Sequence, residues 1–436
     1  MASTYLSVST TSSGTRTKWT TSFWVKRCST GAEHTIFGSY LDSNNKDKIA
    51  FDSSDRLQFA SVQAGGYSNG GNLVTNRLFR DTNAWYHIVL RWDTNNSTAD
   101  DRMKIWVNGV EETSFSSRTN PTSGRESLIN YTTYTKVGNN GSSGNYFDGV
   151  LSHIHFCDNY TYSASDFGST DSTTGEWKIN TSPSVSYGTN GFWWLKDSIA
   201  TTDHSPNSNP FTVSGGTLTK TEDCPSNVFP TLNPLLTHAA HGYSLTYGLG
   251  NNKITFNEPS TWTYTTSTIA GINGKFYAEF KIDAVGSESS IGVIASDTVN
   301  NNQTSGGLDD YLGKETDSIG YLNDGRTFKN NSAQQTGLTA ISAGNILGVA
   351  LDTENNTCQF YINGSSSGNP VSLTADKFYH FGVSGYNGTQ ISCNFGNGYF
   401  GTTAVSSAGT NASNIGIFEY NVPTGFTALS TKGLNL

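Results

Sequence analysis

The sequence predicts an all-β protein with more than one sandwich. Three observations carry that expectation. First, Ser, Thr and Asn make up roughly a third of the 436 residues, with 46 Gly, while charged residues are only 14%. Long helices need Ala, Glu, Lys and Leu in quantity, whereas this composition favours strands separated by tight turns. Second, apolar residues recur at every other position in several segments, the period of a half-buried strand. Third, two of those segments end in Asn-Gly, the strongest short-range hairpin signal, because a tight hairpin turn needs positive φ at both central residues.

In chain order, the first strand seed is Ser22-Phe23-Trp24-Val25-Lys26, followed by a longer one from Trp85 to Trp92. Met103 to Val107 alternates and runs into Asn108-Gly109. Val150, Ser152, Ile154 and Phe156 are expected on one strand face, with His153, His155 and Cys157 on the other. Gly191 to Asp197 reads as a closing strand. Residues 198–238 hold Pro206, Pro210, Pro225, Pro230 and Pro234 among Ser, Thr and Asn, and read as a polar connector with little core. Leu232, Leu235 and Leu236 are its candidates for packing on a domain. Alternation resumes at Lys275 to Ile282, then Ile291 to Ala295. Asn345 to Asp352 leads through Asn355-Asn356 to Cys358 to Ile362 and a second Asn-Gly, Asn363-Gly364. No long helical stretch or heptad run is visible. The expected organisation is a sandwich over 1–197, a connector over 198–238 and a second sandwich over 239–436.

The first half resembles the laminin-G-like, concanavalin A-like jelly-roll family. The resemblance rests on Ser22 to Lys26, Trp85-Tyr86-His87-Ile88-Val89, Ile105-Trp106-Val107-Asn108-Gly109, Val137-Gly138 and Phe147-Asp148-Gly149-Val150-Leu151, over about 15–165. The second half is similar to SPRY domains through Gly274-Lys275-Phe276-Tyr277-Ala278-Glu279, Ser318 to Tyr321, Asp324-Gly325, Gly344 to Asp352, Phe360 to Gly364 and Asn394-Phe395-Gly396. Asn345 stands where that family usually has Asp. This match covers about 241–400. Together they imply two concanavalin A-like jelly-roll β-sandwiches in tandem. The segments 203–209 and 223–234 and the ending Val422 to Leu429 resemble bacteriophage structural proteins.

Several chemistries are disfavoured. Net charge is −9, against a broad basic footprint for nucleic acid. No apolar run approaches the ~20 residues of a membrane helix, and no secretory signal is expected at the N-terminus. Five scattered cysteines without a CxxC pair read as reduced thiols rather than a zinc site. Glycosidases of this fold place paired carboxylates on one strand face, a pattern absent here. Glu111-Glu112 reads as hairpin surface and Asp100-Asp101 as a solvated turn. His153 and His155 suit a metal by spacing but lack a fourth ligand, so an exposed sheet face or a subunit contact is expected. No catalytic residue, metal or cofactor is assigned.

Aromatics carry the functional expectation. Trp24, Trp85, Trp92 and Trp106 lie on strands and are expected in the core. Tyr67, Tyr131, Tyr134, Tyr146, Tyr311 and Tyr386 lie in loop-like settings beside Asn and Asp. Such rings suit stacking on a sugar face, and equally a protein contact. The candidate ligand-binding residues are Tyr67, Tyr146, Asp309, Asp310, Tyr311 and Tyr386. With the phage-like resemblance, the expected function is a non-enzymatic virion surface protein, a tail fibre or spike recognising a host-surface glycan or receptor. Its expected partners are other virion proteins and its own copies, as a trimer by analogy. A capsid-decorating or head–tail component is the alternative, and a depolymerase a remote one.

Overall fold

The structure, a computed structural model, describes the chain except residues 1–2, 9, 11, 133–134, 143, 197, 237–244, 306–309 and 436. It divides into two units, Met1–Lys220 and Thr221–Leu436. Each is a β-sandwich with its own hydrophobic core.

In the first unit the larger sheet runs, edge to edge, Phe115–Thr119, Gly66–Leu78, Arg56–Gln63, Asn45–Phe51, His34–Asp42, Thr135–Val137, Tyr5–Val8 and Phe211–Ser214. The facing sheet runs Phe192–Trp194, Gly149–Asp158, Lys18–Arg27, Trp85–Asp93, Met103–Val107 and Val110–Glu111. Their inner faces bury Trp19, Phe23, Phe37, Phe59, Ile88, Trp92 and Phe156. Alternation explains the selection: the two-residue period sends every second side chain of each strand inward. The Asn108-Gly109 turn forms as expected, with φ of 47° and 85°.

Two expectations about the strand Gly149–Asp158 are corrected. A bulge between Ser152 and His155, with His153 at φ 49°, breaks the alternation. Leu151 therefore packs against the core together with Ile154 and Phe156, and the face expected for Val150 and Ser152 is not continuous. Nor is the opposite face exposed. His155 and Cys157 lie under a third layer, residues 159–190, which buries Val89, Trp106, Cys157, Phe167 and Tyr187 in a second apolar cluster. All four strand tryptophans are buried, Trp92 in the inter-sheet core and Trp106 beneath this cover.

In the second unit the larger sheet runs Leu245–Gly248, Lys253–Phe256, Gln390–Asn394, Lys275–Ala284, Ile346–Asp352, Thr357–Ile362 and Ser365–Ser372. Thr427–Ala428 adds in parallel to Lys275–Ala284. The facing sheet runs Thr263–Gly271, Tyr379–Gly385, Ser289–Ala295, Ser318–Leu322, Arg326–Lys329 and Ser332–Gln335. A ten-residue helix, Ser296–Ser305, was not expected, since its Ser, Asn and Thr are poor helix formers. Val299 joins Tyr264, Ile294 and Leu312 in one apolar cluster, so tertiary packing supplies what propensity does not.

The stretch expected as a connector is divided between the units. Phe211–Ser214 is an edge strand of the first, its residue Ser214 opposite Tyr5. Leu232 is fully buried in the core of the second and bridges Ser267, while Phe229 is buried beneath the C-terminal segment. Leu236 is also buried, and Leu235 is exposed. Few apolar residues suffice there because each fills one position on a core the strands have already built.

Candidate functional site

At one end of the smaller sheet of the second unit, three aromatic rings meet. The register explains the meeting. Thr263 pairs with Gly385, so Trp262 and Tyr386, the next residues outward, leave the sheet side by side. Ser289 also pairs with Gly385, which brings Glu288 to the same spot. Tyr311 arrives from a loop pinned at the next residue. The Leu312 N–H donates to Ser384 Oγ at 3.2 Å, and its carbonyl accepts from Ser290 Oγ at 2.7 Å. The Trp262 ring lies 5.2 Å from Tyr311 and 5.2 Å from Tyr386, centroid to centroid. Phe328 stands edge-on to Tyr311 at 5.8 Å. All four rings are half-buried, so each keeps a solvent-facing part.

Polar groups rim the rings. The Tyr386 hydroxyl donates to Glu288 Oε2 at 3.3 Å, and the Tyr311 hydroxyl to Asn331 Oδ1 at 3.1 Å. Asp310 accepts the Tyr311 N–H at 3.0 Å and pairs with Lys314 at 2.6 Å. Desolvation and then Asp310 raise the Tyr311 phenol above its ordinary value; desolvation and then Glu288 do the same for Tyr386. Both phenols are therefore neutral hydrogen-bond donors at neutral pH. Glu315 is raised as well, by desolvation and then by Asp310. A shelf of rings with carboxylate, amide and hydroxyl groups at its margin can stack on a planar or pyranose face and hold its hydroxyls.

Of the residues singled out from the sequence, Asp310, Tyr311 and Tyr386 come together here. Asp309 and Tyr134 lie outside the described residues. Tyr67 and Tyr146 are in the first unit. Tyr67 is exposed and sits on the strand Gly66–Leu78, not in the loop expected for it. Tyr146 stacks on Tyr5 at 6.5 Å, with Lys136 Nζ 4.5 Å from the Tyr5 ring. Trp262 was missed, although an isolated Trp in the polar run Asn257 to Thr263 was a readable signal.

Of the two histidines with metal-like spacing, His155 is built into the packing, as is His87. His155 Nδ1 lies 2.8 Å from the Tyr187 hydroxyl and its ring stacks on Trp193 at 4.9 Å. His87 shares hydrogen bonds with Ser22 Oγ at 2.8 Å and Trp177 Nε1 at 2.9 Å. Burial pushes His87 down to about 3 and holds His155 well below its ordinary value. Among the described residues, no group of three or more His, Cys, Asp or Glu is placed to hold a metal ion. Asp100 and Asp101 pair with Arg118 and Lys104. Glu112, expected at the surface, is buried against Arg77 at 2.5 Å.

The family model of the concanavalin A-like lectin/glucanases superfamily matches residues 1–166. The SPRY domain model matches residues 275–398. No curated protein matches the chain. Among solved structures, the SPRY domain of human HERC1 is similar at 18% identity over 33% of this chain and 87% of that one, with a TM-score of 0.26. The heptameric SAP-like pentraxin from Limulus polyphemus is similar at 14% identity over 38% and 72%, with a TM-score of 0.28. The chain is an all-β protein in which a laminin G-like, concanavalin A-like domain precedes a SPRY domain.

Proposed function

We propose that this chain is a non-enzymatic surface protein of a bacteriophage particle, a tail fibre, spike or similar appendage that recognises a host-surface glycan or receptor. The concanavalin A-like lectin domain suggests carbohydrate binding. The observation that carries the reading is the shelf of Trp262, Tyr311 and Tyr386, three rings from three separate segments with a polar margin. Rings held this way add contact area at low entropy cost, and the amides and carboxylates around them give direction. In this reading the sandwiches are rigid scaffolds and the recognition lies in their loops. Attachment to the particle is through other virion proteins, and the working form is a homo-oligomer.

The test is binding of purified protein to host cells and to a glycan array. Trp262→Ala is expected to lower binding by about tenfold or more, as loss of a central aromatic anchor does. Phe378→Ala, at an exposed position elsewhere on the same unit, is expected to leave it unchanged. Equal binding by both variants and the parent protein would sink the reading. Release of reducing sugar from host polysaccharide would instead make the protein an enzyme.

A further inference from the structure

The first unit holds an open polar pocket of about 330 Å³, here called the cavity, that the aromatic shelf does not explain. Arg16, Gln63, Thr122, Ser123, Arg125 and Glu126 line it. We propose that this cavity is a second binding site, for a single sugar unit carrying a carboxylate. The proposal extends the glycan reading to a separate place on the chain and names the class of glycan.

The cavity is built on fixed backbone. The Gly124 N–H donates to Thr94 O at 2.9 Å, and Thr94 Oγ1 donates to Arg125 O at 2.7 Å. The Ser127 N–H donates to Arg16 O at 2.9 Å, and Arg102 Nη1 donates to Pro121 O at 3.0 Å. Just after this segment, the N–H groups of Leu128 and Ile129 donate to the buried Asp47 carboxylate at 2.5 and 3.0 Å. These bonds hold both sides of the cavity in place before anything binds, which reduces the ordering cost of binding.

Its charge is opposite to that of the molecule. The chain carries −9 overall, yet the lining holds two guanidinium groups and one carboxylate, with the buried Asp47 also acting on Arg16. Arg16 is committed on three sides. Its Nε donates to Ser127 O at 2.6 Å, its Nη1 donates to Glu126 at 2.7 Å, and it stacks 4.7 Å from the Tyr131 ring centre. Arg125 is less committed. Its Nη1 donates to Gln63 Oε1 at 2.9 Å, while its Nε is buried with no hydrogen-bond partner. The unpartnered Nε leaves part of the hydrogen-bond capacity of Arg125 unused, whereas Arg16 has little to spare. The planar fork of arginine matches a carboxylate with two parallel bonds.

Volume and lining select the rest of the ligand. A bare anion leaves most of the space unfilled, whereas small-molecule sites start at about 300 Å³. Thr122 and Ser123 offer hydroxyl groups suited to sugar hydroxyls, while the Gln63 amide is held between Arg125, Glu126 and Ser61 as part of the wall. An apolar ligand finds little to pack on.

The experiment titrates the full chain with glucuronate at low salt, beside glucose, inorganic phosphate and sulfate. Glucuronate is expected to bind and glucose not. Arg125→Gln is expected to raise the dissociation constant by about tenfold or more, the usual effect of losing a charged hydrogen bond. Ser123→Trp, at an exposed position, is expected to block the cavity; unchanged melting temperatures establish that both variants fold. Glucuronate binding no tighter than glucose, or unaffected by Arg125→Gln and Ser123→Trp, overturns the proposal. Phosphate or sulfate binding equally well with the same dependence on Arg125 overturns the sugar assignment. Trp262→Ala separates the two readings, because it removes the aromatic shelf and is expected to leave glucuronate binding intact.

Discussion

At the residue scale, the buried ionisable groups set how stability depends on pH, and they act in opposite directions. Glu279 is fully buried, and its oxygens accept the N–H groups of Tyr420 and Glu419 at 2.9 and 2.8 Å. Burial raises it from 4.5 to about 7, against the lowering effect of those bonds. The folded state therefore holds an extra proton between about 4.5 and 7, and this group's contribution to stability grows as pH falls through that window. Glu279→Gln is expected to abolish that dependence in urea unfolding at pH 7 and pH 5. It also lowers stability at both, since an amide NH₂ would face one of the backbone donors; a variant with the parent's pH slope would refute the assignment. His87 works the other way. Its folded pKa is about 3 against the usual 6.5, so its contribution is lost progressively as pH falls below about 6.5. His87→Gln should make unfolding of the first unit less sensitive to pH between about 6.5 and 4, read by fluorescence of its buried tryptophans. Neither burial could be read from the sequence, where Glu279 looked like the polar face of an alternating strand. The covering segments that bury these residues come from far along the chain.

At the element scale, the two units use the same device on the outer face of one sheet. Each has a strand ending in Asn-Gly, and each turn carries a ring from a covering segment. Trp177 lies over Gly109, where an added Cβ would come within 2.4 Å of its ring, and Tyr420 lies over Gly364, within 2.6 Å. Positive φ and lack of room both require glycine at these two positions, with φ of 85° and 80°. The Asn-Gly hairpins were legible in the sequence because turn chemistry is local. The covers were not, because their apolar residues are spaced irregularly and match no strand or helix period. Trp177→Ala is expected to destabilise the first unit by about 3 kcal/mol, combining lost burial with an unpartnered His87 Nδ1. Chemical denaturation measures the loss, and new proteolytic cuts within 159–190 would mark the loosened cover. A change within about 0.5 kcal/mol and no new cleavage would mean the layer does not depend on this ring.

At the scale of the whole molecule, each unit has its own core, and the boundary at Lys220–Thr221 cuts no strand. Fragments 1–220 and 221–436 are therefore expected to fold separately, each with a cooperative unfolding transition. Fragments cut at the limits suggested by composition, 1–197 and 239–436, should be less stable, because they lose the edge strand Phe211–Ser214 and the buried Phe229 and Leu232. Equal stability of the long and short fragments, by thermal melting, would contradict that division. By itself the sequence determined the all-β class, both Asn-Gly hairpins, the buried strand tryptophans and the two domain resemblances. All of these follow from period, turn chemistry or short motifs, which are local properties of the chain. Only the tertiary structure decided that 198–236 builds onto both sandwiches, that a bulge redirects His153 and that His155 is buried. It also placed Trp262 beside Tyr311 and Tyr386, and Arg16 beside Arg125. Such convergences depend on strand register and on residues distant in sequence, and a linear pattern has no term for either.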